Sequence, residues 1–299
     1  MNRIFFFLIL TLASAPTWAK VNVITTTSDL AALATAIGGN KVHVNSLTKG
    51  TRDPHYAQAK PSMIRKLFRA DLLIVIGAEM EIGWLPALIR SSRNHKVAAG
   101  QSGYLDISRF IELKGKSAER VTRDMGDVHA EGNPHYWLDP ANGILMAKAI
   151  TERLILLDSG NAKFYQGNFD EFKLELEKRI KQWKAALQDF NGEKVIAYHT
   201  SLLYLAKAFN LDVRGYIEPK PGVSPSASHL NQLIKTIKSE NISYLIMEPY
   251  YETRSAQLLK RKTKINYIII PQSVGAKPGI KTYFDLFDDI VNSLNSVKK

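Results

Sequence analysis

The chain contains no cysteine among its 299 residues. Disulfide bonds and thiolate metal sites are therefore excluded, and we expect no lipid anchor on an N-terminal cysteine. Long apolar segments are also missing, because the apolar run at residues 4–12 is too short to span a bilayer comfortably. We therefore expect no stable membrane insertion. Any metal that this protein holds must be bound by side chains other than cysteine.

The N-terminal apolar run has the layout of a secretory signal peptide. Arg3 supplies one positive charge, the apolar run follows, and small residues lead to Thr17-Trp18-Ala19. We predict cleavage after Ala19, so that residues 1–19 are removed on export. Export without a lipid anchor fits a compartment that retains its proteins, and we expect this protein in the periplasm of a bacterium.

Acidic residues are outnumbered by basic ones: 28 Asp and Glu stand against 40 Lys and Arg, a formal net charge of +12. Such a surplus can indicate binding to nucleic acid. However, the basic residues are scattered in small groups such as Lys260-Arg261-Lys262, and no basic stripe with interleaved aromatic residues occurs. We therefore expect a solvated basic surface and no nucleic-acid partner.

Short apolar runs alternate with helical patterns in both halves of the chain. The predicted strands cover residues 21–27, 42–47, 72–76, 195–198, 213–217, 244–247 and 267–270. This alternation predicts an α/β fold with mostly parallel sheets. A mature chain of about 280 residues also exceeds the usual size of a single core, so we expect two lobes.

A segment rich in Lys, Glu, Gln, Leu and Ala separates the two halves, and its apolar residues have helical spacing. We predict an N-terminal lobe over 20–159, a long connecting helix over 160–190 and a C-terminal lobe over 191–299. A coiled-coil dimer is the alternative interpretation of the long helix, but a sustained heptad is missing. We therefore expect a monomer.

Three of the seven histidines stand beside predicted strands or in Pro-containing loops. His55 follows Asp53-Pro54 after a strand, His135 lies in the motif Asn133–Pro140, and His199 closes a strand. Ligands of parallel sheets bind at the carboxyl ends of strands, so a cleft between the lobes can gather these residues. Neutral imidazole suits zinc, copper, nickel and iron. Separations of 80 and 64 residues form no local metal motif, so spacing alone does not establish a site.

From Val21 to the C-terminus the chain resembles the metal-specific solute-binding proteins of zinc and manganese ABC importers. The matching segments are Asp53-Pro54-His55, Lys60-Pro61-Ser62, Gly77–Trp84, Asn133–Pro140 and His199 with Tyr204–Phe209. The resemblance implies that His55, His135 and His199 bind the metal directly. It also implies a membrane permease as the partner and transport of the ion without catalysis.

The fourth ligand is where the sequence departs from this resemblance. Many members of the family place an aspartate just after the last strand, where this chain has Gln272. An amide carbonyl is a poorer ligand for a dication than a carboxylate. Glu248, at the end of the preceding strand, is the favoured replacement, and Glu218 and a water molecule are the alternatives. Glu248 can instead orient a histidine, and Glu218 can simply hold its loop.

A short segment before the Asn-Pro-His motif stands where many zinc-binding members carry a long His-rich loop. Asp124, Asp127, His129 and Glu131 lie in this segment. They can loosely collect metal, although a solvated loop explains them as well. The remaining histidines, at positions 43, 95 and 229, have no supporting context and are expected to be structural.

We predict a periplasmic protein that binds a transition-metal ion, zinc, with high affinity and delivers it to an ABC permease. Three nitrogen ligands favour zinc over manganese, which prefers carboxylates, although manganese or iron remains an alternative cargo. The rival from another class is a periplasmic zinc hydrolase, because catalytic zinc also has three protein ligands and an open position. No His-Glu-x-x-His motif supports it. An adhesin is a third interpretation.

Overall fold

The computed structural model describes residues 20–116 and 129–298. The predicted signal peptide, its cleavage after Ala19, and Asp124 and Asp127 of the short acidic segment lie outside the described residues. Within the described ranges, no helix has both the length and the apolar character needed to cross a membrane.

The first half of the chain forms a parallel sheet of four strands in the order β2-β1-β3-β4. Its strands are β1 (Val21–Thr25), β2 (Val42–Ser46), β3 (Leu72–Val75) and β4 (Tyr104–Asp106). Helices α1 (Ser28–Gly38), α2 (Pro61–Phe68) and α3 (Leu85–Ser92) cross between them. Every residue of β3 is buried, as expected for a strand covered on both faces. Strand β4 has only three residues and was not predicted.

The second half repeats this arrangement, with four parallel strands in the order β6-β5-β7-β8. The strands are β5 (Lys194–Ala197), β6 (Asp212–Tyr216), β7 (Tyr244–Met247) and β8 (Asn266–Ile269). Here the helices are α6 (Leu203–Ala208), α7 (Ala227–Glu240), α8 (Arg254–Thr263) and α9 (Tyr283–Asn295). The predicted α/β fold with two parallel sheets is confirmed.

Two further helices, α4 (Pro140–Leu157) and α5 (Ala162–Ala186), connect the sheets. Helix α5 is the predicted long helix, and at 25 residues it ends a few residues earlier than expected because a short turn follows at 188–190. It contacts both halves. Asn168 donates to Ile37 O of α1 at 2.8 Å, and Arg179 pairs with Asp288 of α9 at 2.7 Å.

One large apolar core passes through both halves of the molecule. It joins residues of β1 and α1 to residues of β5, β7 and α9 through the buried faces of α4 and α5. Each sheet also has one smaller apolar cluster, on the face opposite to this core. Because the halves share this core, a wide hinge movement would expose apolar surface, which costs about 25 cal/mol per Å².

A buried carboxyl group links the halves close to the sheet ends. Asp29, in the first turn of α1, accepts a hydrogen bond from Val274 N of the segment after β8 at 2.8 Å. Gly50 approaches the same segment, and a Cβ atom at this position would stand 2.0 Å from Val274 O. Glycine is therefore required at position 50. Burial raises the pKa of Asp29 to about 7, outweighing the hydrogen bond from Val274.

The raised pKa of Asp29 predicts a pH-dependent stability. The folded protein holds a proton that the unfolded chain has already released, so this group lowers stability as pH rises from about 4 to 7. Asp29→Asn removes the titration. We expect its free energy of unfolding, relative to wild type, to rise by a few kcal/mol between pH 4 and pH 8, measured by urea denaturation. Asp170→Asn, at an exposed position, is the control. A difference that does not change with pH would contradict the argument.

Candidate metal centre

His55 lies in the loop that follows β2, in a short turn begun by Asp53. The carboxylate Oδ1 of Asp53 accepts from the backbone N–H of His55 at 2.9 Å and contacts its Nδ1 at 2.7 Å. Pro54 is the first residue of the turn, where its fixed φ suits a helical conformation. Asp53 thus fixes both the backbone and the ring of His55, so that Nε2 remains available.

His135 is held by the same local arrangement in a second motif. Asn133 Oδ1 accepts from the backbone N–H of His135 at 2.9 Å and contacts its Nδ1 at 3.0 Å, again with a proline between the two residues. The amide Nδ2 of Asn133 donates to Thr200 O, beside His199. The ring of His135 is 2% exposed and lies 5.2 Å from the Trp137 ring. Asp-Pro-His and Asn-Pro-His are therefore two versions of one histidine-orienting turn.

His199 comes from the other half of the molecule, two residues after β5. Its Nδ1 contacts Glu218 Oε2 at 2.7 Å. Glu218 follows β6, and the same Oε2 accepts from Gly222 N at 3.0 Å. The carboxylate is thus fixed by its own loop and in turn orients the imidazole. This is the usual role of a carboxylate behind a metal-binding histidine.

The structure brings these three imidazoles together at the carboxyl ends of the two sheets. Ring centroids are 5.1 Å apart for His55 and His135, 5.5 Å for His135 and His199, and 6.1 Å for His55 and His199. Every Nδ1 is engaged by an oxygen, so Nε2 is the nitrogen of each ring that can bind a metal. The donor set therefore fits a borderline metal ion such as zinc.

The side chains are close but not yet arranged around one point. Within residues 20–116 and 129–298, no three His, Asp or Glu side chains already stand as a metal-holding group. Binding an ion therefore requires small movements of the rings. Ring rotations over such distances are within the reach of side chains and need no large movement of the two halves.

Burial and neighbouring charges influence the protonation of the three-histidine site. Burial, reinforced by the other histidines, holds the pKa of His135 well below its usual value, so this ring is neutral and ready to bind. Burial alone would lower the pKa of His199, but the hydrogen bond to Glu218 and nearby carboxylates raise it. The pKa of Asp53 is lowered despite burial, because its carboxylate contacts His55.

The three candidates for the fourth ligand occupy different surroundings. Glu218 is engaged behind His199, as described above. Gln272 Oε1 accepts from the hydroxyl of Tyr250. Glu248 is fully buried, its Oε1 accepts from the Ser201 hydroxyl, and burial raises its pKa to about 7. Its charge is close enough to influence His199, although no hydrogen bond joins these two described side chains.

The short segment before the Asn-Pro-His motif contributes one residue to the cluster. His129 Nε2 lies 3.2 Å from His55 Nε2, and the two rings stack with centroids 5.3 Å apart. Glu131 is exposed and lines a surface cavity with Glu79 and Asp106, away from the three histidines. Of the three histidines expected to be structural, His43 contacts Asn45, His229 contacts Tyr216 O, and His95 is exposed.

Residues 23–297 match the family described as the periplasmic component A of the zinc-uptake complex, ZnuA. This chain belongs to that family. The members of the ZnuA family are metal-binding substrate-binding proteins of ABC transporters and are not enzymes, so the hydrolase interpretation finds no support. Substrate-binding proteins of such transporters work with a membrane permease and an ATPase.

Relatives of this ZnuA-family chain include one protein named only for metal and one named for manganese. SloC, a metal ABC transporter substrate-binding lipoprotein of Streptococcus mutans, is 27% identical over 251 residues, covering 82% of this chain and 78% of the relative. PsaA of Streptococcus pneumoniae, named as a manganese ABC transporter substrate-binding lipoprotein, is 25% identical over 254 residues, covering 82% and 77%. The match to the family over residues 23–297 shows the family, and the names of these relatives do not decide the metal.

Solved structures of two periplasmic metal-binding proteins have the same fold as this ZnuA-family chain. A crystal structure of ZnuA superposes with a TM-score of 0.76 at 24% identity, covering 93% of this chain and 98% of that chain. A manganese-bound periplasmic metal-binding protein from Candidatus Liberibacter asiaticus gives a TM-score of 0.76 at 22% identity, covering 93% and 99%. The two-sheet architecture with its long connecting helix is thus shared with these proteins.

The sequence interpretation of this ZnuA-family chain missed the residues that orient the histidines. Asp53 and Asn133 were seen only as parts of motifs, although each precedes a Pro-His pair. An Asp or Asn side chain commonly accepts from the backbone two residues on, so this signal was available. The contact between Glu79 Oε2 and Ala130 N, at 2.8 Å, had no such local signal because 51 residues separate the partners.

Proposed function

We propose that this chain is a zinc-binding protein that captures one ion through Nε2 of His55, His135 and His199 and delivers it to an ABC import permease. The observation that carries the proposal is the meeting of three imidazoles from both halves, each with its Nδ1 engaged by an oxygen. That arrangement selects the tautomer in which Nε2 can bind a metal. The description of the family as a zinc-uptake component agrees with it.

The choice of zinc over manganese rests on the donor atoms. Imidazole nitrogen is a borderline ligand that suits zinc, whereas manganese prefers carboxylate, carbonyl and water oxygens. Relatives named for manganese make manganese the alternative cargo. Calorimetry with metal-free protein tests the choice: we expect one zinc ion per chain, bound at least about tenfold more tightly than manganese. Tighter binding of manganese would overturn the zinc assignment and leave transport intact.

We infer that the protein is exported to the periplasm, cleaved after Ala19 and monomeric. The charged, apolar and small-residue regions of residues 1–19 support the export signal. N-terminal sequencing of the protein from a periplasmic extract tests the cleavage site, and light scattering coupled to size-exclusion chromatography tests the monomer. A mature chain starting elsewhere, or a mass of two chains, would contradict these inferences.

Glu218→Gln is expected to weaken zinc binding without removing a ligand. The carboxylate behind His199 makes its ring a better donor, and loss of such a partner typically lowers metal affinity by about 10–100-fold. Because the carboxylate also raises the pKa of His199, competition by protons should begin at a lower pH in the variant. Chelator competition between pH 5 and pH 8 measures both effects, with the exposed Glu252→Gln as control. Unchanged affinity and pH profile would argue against this role.

A further inference from the structure

The contact between His129 and His55 is the one place where two imidazoles of the cluster already meet through their free nitrogens. We infer that His129 is the fourth ligand of the bound ion, so that the site holds its metal with four imidazole nitrogens. This inference rests on the proposed function, because it adds a ligand to the same site. Glu248, Gln272 and Glu218 then stay outside the coordination shell.

The distance between the two nitrogens is the first support. His55 Nε2 and His129 Nε2 are 3.2 Å apart. Two nitrogen ligands of a tetrahedral zinc ion, each about 2.0–2.1 Å from the metal, lie about 3.3 Å from each other. Without metal, a proton must bridge two such lone pairs. A metal ion replaces that proton with little movement of either ring.

His129 also lies near the other two imidazoles, which a pairwise contact with His55 would not require. It is close enough for electrostatic interaction with His199 and His135. His55 is the shared neighbour of the other three rings, whose centroids lie 5.3 Å (His129), 5.1 Å (His135) and 6.1 Å (His199) from its own. Four ligands are the number that zinc normally takes in closed sites.

The backbone around His129 is fixed to the first half of the molecule. Ala130 N donates to Glu79 Oε2 at 2.8 Å, and Gly132 N donates to His129 O at 3.2 Å. Glu79 itself has a φ of +65° in the loop after β3, which starts at Gly77 with a φ of +75°. A Cβ atom on Gly77 would stand 1.9 Å from Asp106 Oδ1, so only glycine fits there. A non-glycine residue rarely adopts a positive φ. The hydrogen bond from Ala130 N makes Glu79 a positioning residue for the segment that begins at His129.

The competing carboxylate makes no contact with the imidazoles. Glu248 is fully buried, its Oε1 accepts from Ser201, and its Oε2 has no hydrogen-bond partner among the described residues. No hydrogen bond joins Glu248 to any of the four imidazoles, all of which belong to the described residues. Four nitrogen donors discriminate against manganese more strongly than three nitrogens and a carboxylate do. His129 would therefore contribute to metal choice as well as to affinity.

X-ray absorption spectroscopy of the zinc-loaded mature protein tests the inference, because scattering from imidazole rings counts the histidines bound. We expect four imidazoles in wild type and in Glu248→Gln, and three in His129→Ala. Affinity for zinc should fall by roughly 100-fold in His129→Ala and should stay unchanged in His95→Ala, whose side chain is exposed. The affinity ratio of zinc over manganese should also shrink in His129→Ala.

Each outcome decides between the two proposals. Three imidazoles in wild type, with zinc still bound, would overturn the role of His129 and leave the proposed function standing. A count of three imidazoles in both wild type and His129→Ala, together with an oxygen ligand lost in Glu248→Gln, would assign the fourth position to the carboxylate. A wild-type protein that binds no zinc would overturn both. Counting in wild type needs no variant, so a folding defect in His129→Ala does not affect it.

Discussion

Replacing His135 with alanine is expected to lower the affinity for zinc by roughly 100- to 1,000-fold. An apparent binding free energy of about 10–16 kcal/mol, shared among four ligands, gives about 2.5–4 kcal/mol for each. His135 is the most informative of the three histidines because burial keeps its pKa well below its usual range. Metal binding displaces no proton from this neutral ring. Its loss therefore removes a ligand without removing any competition between metal and protons. Competition with a chelator of known affinity measures the change.

The His135→Ala experiment needs a control for folding, since the ring is 2% exposed and lies against Trp137. Thermal unfolding of the metal-free variant shows whether the fold survives. His95→Ala, at an exposed position distant in sequence from the motif, should bind zinc as wild type does. A folded His135→Ala variant with wild-type affinity would show that this imidazole does not bind the ion.

Replacing Leu176 with alanine is expected to destabilise the protein by about 2–5 kcal/mol. Leu176 is fully buried on α5, in the core that passes through both halves. It packs toward α4 at Gly143, where an added Cβ atom would stand 3.0 Å from Leu176 Cδ2. Truncation leaves a cavity between helices that cannot close without moving the connection between the sheets. Urea denaturation of metal-free protein gives the free energy of unfolding.

Leu174 offers a matched control on the same helix. Its side chain is 72% exposed, so Leu174→Ala should change the free energy of unfolding by no more than about 0.5 kcal/mol. Equal effects at the two positions would contradict the assignment of the buried face of α5. A large loss only at Leu176 would show that this helix is a structural connection and not a surface segment.

The fold was largely predictable because its strands have the strongest local signals. The predicted bounds of β3 differ from the observed ones by one residue, and those of β7 are exact. A strand that is buried on both faces has a continuous apolar sequence, which is easily recognised. Helix α9 begins after the predicted Thr282, which forms a capping box with Asp285. Strand β4 was missed because three residues with one buried side chain carry too little pattern. The shared core was also not predicted, since no local pattern reports which helices pack together.

The candidate site was predictable only in part. Resemblance and strand ends pointed to His55, His135 and His199, and the structure places their rings within about 6 Å of one another. The sequence did not decide the fourth ligand, because Glu218, Glu248 and Gln272 each follow a predicted strand and each carries an oxygen that can bind a metal. His129 was grouped with a loosely collecting segment, and only the three-dimensional contact with His55 distinguishes it from Glu131. Long-range contacts of this kind leave no spacing in the sequence.

Anomalous diffraction at the zinc edge from crystals of the zinc-loaded protein tests the central claim most directly. The account predicts one strong peak per chain, about 2.0–2.1 Å from Nε2 of each of His55, His135 and His199. A peak at any other place, or an ion bound by fewer than two of these three nitrogens, would contradict it.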